Sequence, residues 1–252
     1  MRINDVTELD KRPYGYRARI GYTSPPLTTE GFPYEFYQIV PKGVSLVVTS
    51  LAIITRTKAE LDDSWEISLR AAREMRDAGC DLVCLGGVPI NQHHGFATAD
   101  TMCGELEKEI GIKVSSSASA QTAAGKKLGA KKAVLAHPYA DSDTARISKS
   151  YEHMLNCEVI GRTCWGSPFN RIGAIPQHAA VEMGRKLLKE HPQADTILFP
   201  SPHWPTAFVL DILEKEFGVN ALGAHQGTVW DALRRCGIDD RIEGFGRLLR
   251  DF

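Results

Sequence analysis

Short apolar, β-rich runs alternate along this chain with longer segments of helical period, and no other feature constrains the fold as strongly. Parallel strands covered on both faces read as near-continuous Val, Ile and Leu runs, and each needs a crossover, usually a helix, to reach its neighbour. Runs at 18–22, 44–50, 81–86, 113–116, 132–137, 158–162, 196–200 and 220–224 are the expected strands. The fold class is therefore α/β with parallel sheets. Helices are expected at 58–78, 142–155, 177–190 and 207–217. In the first, Leu61, Trp65, Ile67, Leu69, Ala72 and Met75 fall largely along one face before Gly79 ends it.

The chain also resembles itself. Ala78-Gly-Cys-Asp-Leu-Val-Cys-Leu-Gly-Gly-Val-Pro and Ala194-Asp-Thr-Ile-Leu-Phe-Pro-Ser-Pro each read as an Asp, an apolar strand and a small-residue loop. Each is followed by a helix and then a Gly-led strand, beginning at Glu109-Ile-Gly-Ile-Lys-Val and Glu216-Phe-Gly-Val-Asn-Ala. Two related half-domains are implied. Ligands of open α/β sheets sit beyond the carboxyl ends of the strands, which puts a cleft between the loops at Gly87 and Ser201.

Composition narrows the functional classes. Lys and Arg total 30 against 31 Asp and Glu, so the bulk charge favours neither nucleic acid nor an anionic membrane. A small-molecule partner fits better. The polar start MRINDVTELDKRPYG lacks the apolar core of a signal peptide, and no stretch reaches the roughly eighteen apolar residues that span a bilayer. A cytoplasmic location is the expectation. The cysteines at 80, 84, 103, 157, 164 and 236 lack zinc-site or disulfide-framework spacing and read as reduced thiols, with Cys84 packed in its strand. Gly86-Gly87 is no dinucleotide fingerprint, and no Walker sequence occurs.

At the two loops the pattern resembles the aspartate/glutamate racemase superfamily, closest to arylmalonate decarboxylases and maleate isomerases. Tyr22 to Pro26 is similar to the decarboxylases' N-terminal Pro-Pro loop, and Asp81 to Gly95 to their first active-site segment. His137-Pro-Tyr-Ala-Asp resembles the strand end carrying their substrate-binding tyrosine, here Tyr139. Val229-Trp-Asp-Ala-Leu and Gly244-Phe-Gly-Arg-Leu match their C-terminal helix and tail. The resemblance implies two pseudosymmetric, flavodoxin-like lobes with the site between them: residues 1–116 with 228–252, completed by the C-terminal helix, and residues 117–227. It implies no cofactor and no metal, and a homodimer only as a family expectation.

The superfamily usually places a cysteine on each loop, and here both are replaced. Gly87 matches the glycine that the decarboxylases carry at the first position, but their following hydroxyl residues are Val88 and Pro89 here. Ser201 holds the position of their catalytic cysteine, and a hydroxyl is a far weaker acid than a thiol. Against glutamate racemases, Ser201-Pro202-His203-Trp204-Pro205 places His203 on the histidine that assists their second cysteine. An imidazole near its reference pKa of about 6.5 exchanges protons at neutrality, so His203 is the preferred acid or base.

Each candidate has two readings. Ser201 is a proton relay to His203 or a small residue in a tight turn; His203 is catalytic or caps the following helix. Tyr139 bonds a substrate carboxylate or plugs the interface between lobes. Arg56 offers a planar fork for a carboxylate or is a solvated loop arginine. The expected binding residues are Gly87, Val88, Pro25, Pro26, Arg56, His93 and His225. Imidazoles at 93, 94, 137 and 225 are expected near one cleft, without the spacing of a metal site. Phe96 and Trp204 suit an apolar substituent or the core.

The expected partner is a small carboxylic acid, and the expected chemistry lies at the carbon beside its carboxylate. Decarboxylation of a malonate-like acid through an enediolate comes first. Racemisation or cis–trans isomerisation is the alternative, and a non-catalytic acid binder is the contrasting class.

Overall fold

The computed structural model describes residues 13–91 and 98–252. Its frame is a pair of four-stranded parallel sheets. The first contains β1 (Ala18–Pro26), β2 (Val44–Ile53), β3 (Leu82–Leu85) and β4 (Lys113–Ser116), ordered β2-β1-β3-β4. The second contains β5 (Lys132–His137), β6 (Glu158–Cys164), β7 (Thr196–Phe199) and β8 (Asn220–Gly223), ordered β6-β5-β7-β8. The second order is the first with four added to every label, so the repetition in the sequence is a repetition of topology.

Helices cover the sheets: α1 (Gly31–Ile39), α2 (Lys58–Asp77), a single turn α3 (Val88–Asn91), α4 (Ala99–Ile110), α5 (Ser117–Leu128), α6 (Thr144–Leu155), α7 (Gln177–Glu190), α8 (Ala207–Phe217), α9 (Ala224–Arg235) and α10 (Arg247–Asp251). Their ends follow local chemistry. Thr57 and Glu60 form a capping box at the start of α2, and Ser116 and Ser119 form one at the start of α5. The Gly that leads each second strand is the left-handed cap of the preceding helix, Gly111 after α4 and Gly218 after α8.

Strand side chains alternate between faces. Ile20, Tyr22, Leu82 and Cys84 of the first sheet share one central cluster with Leu135, Leu198 and Leu222 of the second, and with Ala124, Val229 and Leu233 of α5 and α9. Val83 and Leu85 turn instead to α2 and α4. Val134, Ile197 and Phe199 turn to α7 and α8. Full burial of each such side chain contributes about 1.5–3 kcal/mol. Since α5 and α9 contact each other and strands of both sheets, the central layer joins the lobes and holds their carboxyl ends face to face.

Among the helices that escaped the sequence pattern, α5 and α1 have plain reasons. Small residues dominate α5, Ser-Ala-Ser-Ala-Gln-Thr-Ala-Ala-Gly, and leave little apolar contrast. In α1, Pro33 sits in the first turn, where its missing N–H costs nothing. β1 also runs on to Pro26 rather than ending at Tyr22. β3 stops at Leu85, so beyond Thr23 the only strand beside β1 is β2, and the prolines break no ladder on the other side.

Candidate active site

A cleft of about 530 Å³, the open space at its mouth included, lies where the β3 and β7 loops meet. On the first side Leu85 ends its strand, and the Gly86 N–H donates to Thr23 Oγ1 at 3.0 Å. A Cβ at Gly86 would collide with the Thr23 carbonyl oxygen. Gly87 has φ +90°, and a Cβ there would lie 2.8 Å from Ile90 Cδ1 and 3.0 Å from Pro25 Cγ. Only glycine fits both positions without strain. Gly87, Val88, Pro89 and Ile90 then face the cavity, a wall of backbone and aliphatic carbon.

Pro200, Pro202 and His203 form the opposite wall. Ser201 lies between these prolines, fully buried, and is not itself part of the wall. Its Oγ completes no hydrogen bond, although it approaches the Tyr139 phenol closely enough to offset part of the effect of burial there. His203 is 8% exposed, and its Nε2 has no protein partner among the described residues. Burial, assisted by the nearby His225, pushes its pKa down to about 3. The expectation of an imidazole poised near neutrality is thereby corrected: the free protein holds His203 neutral, because the apolar wall disfavours its charged form. His203 and Phe169 also belong to a second, more polar chamber of about 700 Å³, lined by Pro26, Thr28, Thr29, Glu30 and Asn170 among others.

Arg56 and Tyr139 meet at the rim. The guanidinium carbon lies 4.9 Å from the Tyr139 ring centre and 5.5 Å from that of Phe169. Its Nη2 donates to Asp143 Oδ2 at 2.6 Å, which ties the β2–α2 loop to the turn before α6. Burial opposes ionisation of Asp143, but Arg146 and Arg56 hold its carboxyl below the usual value. Arg56 itself has φ +61°, a conformation held here although its Cβ disfavours it. Its side chain is only partly exposed and is held by the ion pair and the two rings.

The sequence reading missed the floor. α5 begins there, and Ser117 and Gln121 line the cavity. The Ser117 hydroxyl approaches that of Tyr22 without completing a hydrogen bond, and both are buried. Gln121 is committed elsewhere: its Nε2 donates to the Ser117 carbonyl, and its Oε1 accepts from Tyr151. An unpaired serine hydroxyl at the start of a twelve-residue helix suits negative charge. Its signal in the sequence was the Ser115-Ser116-Ser117 run directly after a strand.

The expected cluster of imidazoles does not form among the described residues. His225 is wholly buried with Nδ1 2.8 Å from Glu35 Oε2, and it does not line the cavity. His137 Nε2 lies 2.8 Å from Thr144 Oγ1, and burial lowers its pKa to about 4. Trp204 is core, 5.8 Å from the Phe199 ring, rather than a face for a substituent. His93, His94 and Phe96 lie outside the described residues. Pro25 lines the cavity, whereas Pro26 lines the polar chamber. No group of three metal-ligating side chains occurs among the described residues, and no described helix is long and apolar enough to cross a membrane.

Two topologically repeated α/β lobes with a shared cleft define the class: the two-lobed fold of arylmalonate decarboxylases and maleate isomerases. A liganded arylmalonate decarboxylase variant covers 92% of this chain and 98% of its own at 21% identity, TM-score 0.80. A maleate isomerase variant from Pseudomonas putida S16 with maleate covers 92% and 97% at 19% identity, TM-score 0.81. A Nocardia farcinica maleate cis–trans isomerase bound to TRIS covers 92% and 98% at 20% identity, TM-score 0.80. No curated protein sequence matched. The arylmalonate decarboxylase family model matches residues 20–249, and the chain belongs to that family.

Proposed function

We propose that this chain is a cofactor-independent enzyme acting at the carbon beside a carboxylate, and that its reaction is decarboxylation of a malonate-like acid bearing an apolar substituent. One observation carries the reading: a largely apolar cavity in which a fixed cation, a phenol and an unpaired helix-start hydroxyl face a neutral imidazole. Family membership supports it, as does the malonate substrate class in the family's name.

In this reading Arg56 and Tyr139 hold one carboxylate, while the substituent lies among Ile53, Leu61, Val88 and Ile90. The bond to the second carboxylate breaks, CO₂ leaves, and the electron pair passes into the retained carboxylate as an enediolate. Arg56, the Tyr139 O–H and the Ser117 O–H at the start of α5 oppose that charge in a largely apolar site. The anionic substrate raises the proton affinity of His203, which takes a proton through the polar chamber and delivers it to carbon.

Racemisation needs acid–base groups on both faces, and among the described residues the Gly87 wall supplies none. Isomerisation through a covalent intermediate needs a better nucleophile than a buried serine hydroxyl. The contrasting class is a binder that keeps the anion site and performs no chemistry.

The test is proton NMR in D₂O with chelator, mixing the protein with substituted malonates, maleate, and amino and hydroxy acids. Decarboxylation gives a product with one deuterium beside its carboxylate. Exchange without CO₂ loss moves the assignment to racemase or isomerase, and tight binding of an acid unchanged for hours establishes the binder.

A further inference from the structure

One buried ionisable pair has no part in the chemistry above. Glu35 on α1 and His225 at the start of α9 each have side chains about 1% exposed. A buried carboxylate is costly unless its oxygens are satisfied. Here Glu35 Oε1 accepts the Ala207 backbone N–H at 2.8 Å, and Oε2 lies 2.8 Å from His225 Nδ1.

Ala207 is the first residue of α8, and the preceding Thr206 caps that helix with no side-chain hydrogen bond. Glu35 therefore does from another helix what an N-cap does locally, placing carboxylate oxygen at the positive end of α8. One turn earlier on α1, Gly31 abuts the same loop: a Cβ there would lie 3.3 Å from the His203 carbonyl oxygen and 4.0 Å from Pro205 Cγ. The Gly31–Glu35 face of α1 thus holds the segment 203–207 at both ends. His225 is wedged against Phe32, ring centres 4.2 Å apart, and Phe32 stacks on Tyr22 at 3.7 Å. Its Nε2 is buried without a protein partner.

We propose that Glu35 is a positioning residue. It fixes His225 as the Nδ1–H tautomer, leaves the Nε2 lone pair bare, and clamps the start of α8 so that His203 keeps one orientation against the cavity. This rests on His203 as the proton-transfer group of the proposed reaction. The same logic orients imidazoles in catalytic triads, where a carboxylate selects the tautomer and angle of a histidine it does not protonate. No charge need leave Glu35 for the pair to work.

Glu35→Gln separates the role from plain packing. The amide keeps the size and still accepts from Ala207, but its NH₂ donates to His225 Nδ1 and forces the proton onto Nε2. The tautomer is read by long-range ¹H–¹⁵N correlation NMR on histidine-labelled protein, without substrate. Nδ1–H in the wild type and Nε2–H in the variant are expected. Glu35→Leu withdraws the acceptor from Ala207 as well, and turnover of the acid identified above should then fall at least about tenfold with KM within about twofold, as orientation effects on a general acid allow. Nε2–H in the wild type overturns the proposal, as does unchanged turnover in folded Glu35→Leu. If Glu35→Gln does not fold, the wild-type tautomer decides alone. Failure of every acid in the panel defeats the decarboxylase reading and leaves the tautomer measurement intact, so the two failures are distinguishable.

Discussion

The loops after β3 and β7 occupy equivalent places in two sheets of the same strand order, yet the chemistry they present is opposite. Gly86 to Ile90 gives backbone and aliphatic carbon, with a left-handed glycine at the turn. Pro200 to Trp204 gives polar side chains, all of them buried and most without hydrogen-bonding partners. Pseudosymmetry of the frame has therefore not been kept as symmetry of function. Among the described residues, one wall can only hold and exclude, and the other carries the one imidazole that lines the cavity. In the proposed reaction such a site protonates carbon from one side, which suffices to replace a lost CO₂ by a proton, whereas two-sided proton exchange would need a second group on the opposite wall.

The sharpest way to break this contrast is His203→Gln. Turnover should fall by at least about a hundredfold in steady-state kinetics, the lower scale for losing general acid–base help. Unchanged turnover would show that the two walls are equally inert. The same variant has a stability signature. His203 in the folded chain is depressed to about 3, below its unfolded value of about 6.5, so the unfolded chain binds the extra proton between those limits. Its contribution is fully present above about pH 6.5 and is lost as pH falls toward 3, at up to about 1.4 kcal/mol per pH unit. Urea unfolding at pH 7.5 and 5 should therefore show a smaller acid penalty in His203→Gln than in the wild type. His137, depressed to about 4, contributes to both proteins alike.

Gly87→Ala tests the other wall. A Cβ at φ +90° and 2.8 Å from Ile90 Cδ1 should cost about 1–3 kcal/mol in urea unfolding and raise KM by crowding the cavity. A neutral substitution would mean that the turn is not set by steric exclusion. Ser201→Ala is the smallest expected effect: under about 1 kcal/mol and under about threefold in turnover, because Oγ has no completed hydrogen bond to lose. A hundredfold fall would place Ser201 in the proton path and deepen the asymmetry between the loops.

Much of the frame was legible because it depends on local period. Each expected strand is present, and 113–116, 132–137, 177–190 and 207–217 match their elements end to end. Boundaries slipped where tertiary pairing decided them, as in β1 and β2, which run beyond the apolar core of their segments. The site was legible only in part. Gly87, Val88, Pro25, Arg56, Tyr139 and His203 line one cavity, but nothing local marked Phe169 as a member, and Ser117 was marked only by a serine run after a strand. Contacts between residues far apart in the chain leave no periodic trace.

The sequence by itself determined the α/β class, the internal repeat and the family, since alternation, capping glycines and loop motifs are properties of neighbouring residues. Only the tertiary structure decided which groups meet and in what state. It neutralised His203, turned His225 toward Glu35 and away from the cavity, buried Trp204 in the core and stacked Arg56 against two rings. The reason is physical: the proton affinity of His203 depends on desolvation, and the orientation of His225 on Glu35, a partner 190 residues away in sequence, and both exist only once the two sheets close around their shared core.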